Sequence, residues 1–233
     1  IKLNRFAAST ADEFREAVQK LQKKGMKQLI LDLQSNGGGY LNIAIDLADE
    51  FLADDKLIVY TEGSKQRRED AKSSKKGLFE NGRLVILVDE ASASASEIVS
   101  GAVQDWDRGV IIGRRTFGKG LVQKPIPLPD GSMIRLTVSR YYTPTGRCIQ
   151  KPYENGDKAL YNRELIERYN RGELTNADSI HFPDSMKYST LITPSRWFTG
   201  DAQDKSFVKL REYIKENNHI SKIYNYKDEK EVF

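Results

Sequence analysis

The 233-residue sequence predicts an α/β layered fold in which strands and helices alternate over the first 150 residues and a hairpin closes that stretch. Three observations carry this expectation. Residues 28–33 are a short apolar run of buried-strand type, stopped by Asn36-Gly37-Gly38-Gly39 and followed by a helical pattern of Ile43, Ala44, Leu47, Ala48, Phe51 and Leu52. Residues 83–88 repeat the arrangement, with a turn of small residues and then a helix carrying Ile98, Val99 and Val103. Strand-like runs at 121–128 and 133–142 flank Pro129-Asp130-Gly131, a turn that predicts a hairpin.

The other elements follow in order. Residues 1–6 alternate apolar and polar, as a half-buried strand does, and Ser9-Thr10 with Asp12 and Glu13 opens an amphipathic helix through Phe14, Ala17, Val18 and Leu21. A charged stretch at 63–76 reads as a separator between the two strand-turn-helix units. Val110-Ile111-Ile112 is a further short strand. From about Lys151 the character changes to Tyr- and Asn-rich connections with helical patterns at 162–169 and 207–216. We therefore expect a domain over 1–150 and a mainly helical and loop extension over 151–233.

Composition narrows the classes of function. The chain is 39% hydrophobic and 30% charged, with mean hydropathy −0.59, and no apolar run approaches the roughly 20 residues that cross a bilayer. Its net charge of +4 comes from interspersed charges, too few and too diffuse to imply a nucleic-acid partner. Cys148 is the single cysteine, which excludes an intrachain disulfide and a cysteine-based metal site. The opening at Ile1, without Met or a leader, is expected of a piece of a longer polypeptide.

Two local patterns suggest chemistry. The segment Ala91-Ser92-Ala93-Ser94-Ala95-Ser96-Glu97 lies between a buried-type strand and a helix, so one of its serines can occupy a helix N-terminus, whose free N–H groups suit a developing oxyanion. Serines there also serve as plain N-caps, with Glu97 completing a capping box. The segment Thr116-Phe117-Gly118-Lys119-Gly120 sets a lysine between glycines just after a strand. Backbone can approach closely there, and a lysine taken out of water favours the neutral amine that can accept a serine proton. Its bland counterpart is a surface or phosphate-contacting lysine.

Neither glycine-rich turn has the spacing of a P-loop or of a dinucleotide fingerprint. A backbone N–H of Gly38 or Gly39 can instead join that of Ala95 as an oxyanion donor, unless the glycines only close a turn. The only histidines, His181 and His219, stand far from both turns in sequence, which disfavours a histidine triad and leaves lysine as the base. Gln123, by even spacing on the same strand face as Lys119, can orient its amine, although most strand glutamines face water.

At these residues the chain resembles the C-terminal processing peptidases, or tail-specific proteases. The likeness rests on residues 89–98 through Gln104-Asp105, on Arg115-Thr116-Phe117-Gly118-Lys119-Gly120-Leu121-Val122-Gln123, on Leu31-Asp32-Leu33 with Asn36-Gly37-Gly38-Gly39, and on residues 140–147. It covers about residues 1–150. The resemblance implies Ser94 as nucleophile, Lys119 as base, Gln123 as the residue orienting it, and Ala95 with Gly38 or Gly39 as the oxyanion hole. It also implies a ClpP/crotonase-like spiral of β-β-α units with a mostly parallel sheet, no metal or cofactor, and an upstream PDZ domain that captures polypeptide C-termini. Such enzymes are typically periplasmic, extracellular or in the chloroplast lumen; for this chain the bacterial cell envelope, and the periplasm in particular, is expected, and an oligomer is compatible with the family. Ser94 Oγ and Lys119 Nζ are then expected within or near hydrogen-bond reach. A non-catalytic peptide-binding scaffold of the same fold is the alternative, and a crotonase-type acyl-CoA enzyme a more remote one, because it would not need this serine and lysine.

Overall fold

A computed structural model describes residues 1–74, 76–152 and 158–175. The chain divides into two compact units, the first running from Ile1 to Lys151 and the second beginning at Pro152.

Within the first unit, helix α1 (Thr10–Lys23) precedes strand β1 (Gln28–Asp32) and helix α2 (Leu41–Asp49). Strands β2 (Leu57–Gly63), β3 (Gln66–Lys72) and β4 (Arg83–Val88) follow, then helix α3 (Ala95–Asp105) and strands β5 (Val110–Gly113), β6 (Leu121–Pro127) and β7 (Met133–Tyr142). The predicted parallel sheet is present as β1-β4-β5, with Leu29 facing Leu84 and Ile86 facing Ile111. β4 is buried from Leu84 to Val88. That explains its unbroken apolar run, since a central parallel strand is covered on both faces.

A second sheet, antiparallel in the order β3-β2-β7-β6, was only half expected. The 121–142 hairpin is there, but the charged stretch read as a separator is itself strand β3, paired with β2. β3 is an edge strand whose charges face water, so it lacks the apolar alternation by which strands are recognised. Residues 1–6 are corrected too. They form two isolated bridges, Lys2 to Asp32 and Phe6 to Gly39, because their hydrogen bonds go to two different places.

Helices α2 and α3 pack on each other and share one buried core with strands of both sheets. Leu47, Ala48, Val99, Ala102 and Val103 are fully buried, and Phe14 of α1 meets Phe51 edge-on with ring centroids 5.5 Å apart. Among the described residues of the second unit, helix α4 (Lys158–Asn170) covers the predicted 162–169 pattern, with buried Arg168 donating to Glu173 at 2.9 Å. The pattern at 207–216 lies outside the described residues, as do His181 and His219. Among the described residues no helix is long and apolar enough to cross a membrane.

Candidate active site

Adjacent parallel strands β1 and β4 end side by side, and the chain leaves each through a turn. Crevices at the carboxyl ends of such strands are where open α/β sheets build sites. Asp89, just past β4, ties the two turns together. Its carboxylate accepts from Ser35 N–H and, within its own turn, from Ala91 and Ser92 N–H, at 2.9 to 3.0 Å. Asn36 adds a second tie. Its carbonyl accepts from Ala93 N–H at 3.0 Å and from Ser96 Oγ at 2.8 Å, and its side chain donates to Leu3 O at 2.8 Å.

These bonds separate the three serines of the small-residue turn. Ser92 Oγ donates to Leu33 O and Ser96 Oγ to Asn36 O, each at 2.8 Å, so both hydroxyls are buried and committed to structure. Ser94 Oγ donates to no described residue, and Ser94 and Glu97 form a capping box at the start of α3. Its backbone is the unusual one, held at φ 57° and ψ −112° as the N-cap of α3. A non-glycine residue in such a region carries strain of about 1–3 kcal/mol and persists only where its surroundings hold it.

Glu97, one turn into α3, does that holding. It is fully buried, and its carboxylate accepts four hydrogen bonds. Oε2 takes Ser94 N–H and Lys119 N–H, both at 2.8 Å. Oε1 takes Thr116 Oγ1 at 2.7 Å and Gly118 N–H at 2.6 Å. One side chain thereby fixes the serine turn and the lysine loop to each other across 22 residues. Burial pushes its carboxyl above the usual range, opposed by the bonds from Thr116 and from the Lys119, Ser94 and Gly118 amides.

The glycine turn packs directly on the serine. A Cβ at Gly38 would stand 2.7 Å from Ala93 O and 2.9 Å from both Ala95 N and Ser94 Cβ, and φ is +96° there. At Gly39 it would stand 2.0 Å from Phe6 O. Gly38 N–H donates to Asn36 Oδ1 at 2.9 Å, whereas Gly39 N–H and Ala95 N–H meet no acceptor among the described residues.

The structure brings Ser94, Ala95, Gly38, Gly39 and the Lys119 backbone into one neighbourhood. It does not join the two reactive groups. Ser94 Oγ and Lys119 Nζ make no hydrogen bond, and Lys119 is exposed, where the glycine-flanked position suggested shelter from water. Gln123 donates to Thr137 Oγ1 at 3.3 Å, not to Lys119. Lys119 lies before β6 begins, so the period-two spacing that put the two on one face does not reach it. Among the described residues no cluster of His, Cys, Asp and Glu could hold a metal ion.

Sequence reasoning missed the scale of the role of Glu97. Its place three residues after Ser94 was read as a capping box, and that box is present, with Ser94 N–H donating to the Glu97 carboxylate. Nothing local signalled that Thr116, Gly118 and Lys119 would share the same carboxylate.

Two turns at the ends of adjacent parallel strands thus carry a serine hydroxyl that donates to no described residue, backbone N–H groups without an acceptor among the described residues, and a lysine loop anchored to the same carboxylate as the serine. Residues 1–156 match the profile of "Peptidase family S41", and the chain belongs to that family. A carboxyl-terminal-processing protease of Picosynechococcus is 41% identical over 161 residues, covering 65% of this chain and 36% of the relative. A carboxy-terminal-processing protease of Bartonella bacilliformis is 39% identical over 186 residues, covering 77% and 42%. Among solved structures, the photosystem II D1 C-terminal processing protease matches with TM-score 0.61 and 38% identity, over 64% of this chain and 38% of that one. The chain thus spans well under half the length of these relatives. A second profile, "Eco57I restriction-modification methylase", matches residues 177–233, outside the described residues.

Proposed function

We propose that this chain carries the catalytic domain of a serine endopeptidase in which Ser94 is the nucleophile and Lys119 its general base. Ser94 Oγ adds to a peptide carbonyl carbon and its proton passes to Lys119 Nζ. The tetrahedral oxyanion is held by Ala95 N–H and by a glycine N–H of the 36–39 turn. Gly39 is the better donor, because Gly38 N–H is already given to Asn36. Collapse expels the amine, which takes the proton back from Lys119, and water then hydrolyses the acyl-enzyme. Covering of the exposed Lys119 by substrate removes water from its amine and favours the neutral form this step needs. Gln123 would swing from Thr137 to orient that amine.

The observation that carries this reading is the Glu97 anchor, which presents Ser94 and the lysine loop to each other while two of the three serine hydroxyls are spent on carbonyls. Its relatives are carboxyl-terminal-processing proteases, which supports cleavage near the C-termini of proteins. Capture of those termini by a PDZ domain elsewhere in the polypeptide and action in the bacterial envelope rest on the family resemblance alone. Assembly into an oligomer is compatible with all of this. Substrate-induced closure would bring Ser94 Oγ and Lys119 Nζ within reach.

The test is loss of covalent labelling by a fluorophosphonate, together with loss of peptide cleavage, in Ser94→Ala and Lys119→Ala. Each substitution is expected to lower kcat by a factor on the order of 10³ or more. Cleavage at the wild-type rate in either variant rules the dyad out.

A further inference from the structure

β6 is the outer strand of its sheet, hydrogen-bonded on one side to β7 and, among the described residues, to nothing on the other. Its hydrogen-bond phase is fixed at both ends. Tyr141 N–H donates to Gly120 O and Leu128 N–H to Ser132 O, each at 2.8 Å. Facing residues of an antiparallel pair alternate between those that exchange backbone hydrogen bonds and those whose N–H and C=O point away. With the observed register and its irregularity between Val122 and Gln123, residues Val122, Lys124 and Ile126 turn their backbone groups to β7. Leu121, Gln123, Pro125 and Pro127 turn theirs to the free edge.

Both prolines thus stand at outward positions, where no ladder bond is lost. The free edge consequently falls into two halves. Leu121 and Gln123 each present an N–H and a C=O, whereas Pro125 and Pro127 present carbonyls without a donor. The open half adjoins the candidate site, because Leu121 follows Lys119 by two residues and so lies within about 7 Å along the chain.

We infer that the edge from Leu121 to Gln123 pairs strand to strand with the backbone of an extended polypeptide substrate, and that Pro125 and Pro127 end that ladder. This rests on the reading of Ser94 and Lys119 as a peptidase site. Main-chain pairing recognises an extended chain whatever its side chains. A ladder of two outward residues spans about three substrate residues beside the lysine. The prolines also close the rest of the hairpin edge to pairing with other chains, the usual danger of an open strand.

The experiment uses the full-length protein and fluorogenic peptides carrying one backbone N-methyl group at each position in turn. Two variants accompany them: Leu121→Pro, which removes an outward N–H, and Pro125→Val, which restores one. Leu121→Pro is expected to lower kcat/KM about tenfold while fluorophosphonate labelling of Ser94 is unchanged. Pro125→Val is expected to lower KM severalfold for peptides long enough to reach two residues further, and to leave shorter ones unaffected. One or two N-methyl positions should abolish the difference between Leu121→Pro and wild type.

Cleavage by Leu121→Pro at the wild-type kcat/KM, or an N-methyl scan without a sensitive position, overturns the ladder. Should Leu121→Pro lose labelling as well, the decision falls to Pro125→Val, and an unchanged KM for long peptides overturns it. A wild-type protein that neither labels nor cleaves refutes the dyad instead. The ladder is then read by fluorescence anisotropy of a labelled peptide, with the same shifts expected in Kd.

Discussion

Replacing Glu97 by Gln keeps the shape of the side chain and exchanges one acceptor oxygen for an amide nitrogen. Each carboxylate oxygen accepts two donors, Oε1 from Thr116 and Gly118 and Oε2 from Ser94 and Lys119. Whichever way the amide sits, two donors lose their acceptor and face an N–H₂ group. At about 1–3 kcal/mol for each buried donor left unpaired, the gross loss is about 2–6 kcal/mol. The neutral amide also escapes the desolvation that burial imposes on the carboxylate, so the net loss falls toward the lower end, about 2 kcal/mol. Urea unfolding measures it, with Glu90→Gln as the comparison. Glu90 pairs with Arg114 at a partly exposed site, and its loss is expected to stay under about 1 kcal/mol. In the same Glu97→Gln protein kcat should fall far more than KM changes, because Ser94 and the Lys119 loop lose their common anchor. Stability and kcat within error of wild type would refute the reasoning.

Glu97 also predicts two opposed pH trends. Its folded carboxyl sits above the usual range, so its contribution to stability is fully present below the ordinary carboxylate value and is lost as pH rises through the folded value. Activity, which needs the carboxylate as a fourfold acceptor, should rise with pH over that window, and Glu97→Gln should flatten both curves. Asp105 has the opposite sign: burial opposes its ionisation, but the Arg147 charge and the bonds from Thr145 outweigh it and hold the carboxyl below the usual range. Its stabilisation is present above the ordinary carboxylate value and lost as pH falls through the lowered folded value, so Asp105→Asn should remove an acid-side slope in thermal unfolding. Gly38→Ala, whose methyl would press on Ala93 O and Ala95 N, should abolish Ser94 labelling, and circular dichroism should show the fold retained. Val99→Ala, in the fully buried face of α3, should cost about 1–3 kcal/mol in urea without altering labelling of the folded protein.

The parallel sheet and its two turns were legible because their signals are local. A short apolar run such as Leu84 to Val88, rich in β-branched residues and bounded by turn residues, has the pattern of a covered strand, and glycines or small residues after it mark where the chain turns. β3 was not legible, since an edge strand of Gln, Arg, Glu, Asp and Lys has the composition of a loop and takes its conformation from β2. Residues 1–6 failed differently: Leu3 and Phe6 are buried, but Asn4 and Arg5 are both exposed, so the alternation breaks off where the chain passes from the end of β1 to the glycine turn. The neighbourhood of Ser94 and Lys119 was reached through motif spacing. The water around Lys119 and the bond from Gln123 to Thr137 depend on where β6 begins and how the hairpin is registered, which spacing along the chain does not encode.

The Glu97 anchor has a bearing on how the domain folds. Phe6, Asn36, Ser94 with Glu97, and Lys119 come from four separate stretches, and the bonds that unite them close loops of 22 residues at Lys119 and 33 at Asn36. No single hairpin or helix contains the site in embryo, so a nascent chain gains it only when the sheet, α3 and the 116–119 loop have all closed together. Unpaired, the same buried carboxylate would oppose each partial closure until its four donors arrive. Reactivity of Ser94 toward a covalent probe should therefore track global unfolding and not local fraying, so that the rate of labelling in mild denaturant reports the stability of the entire first unit.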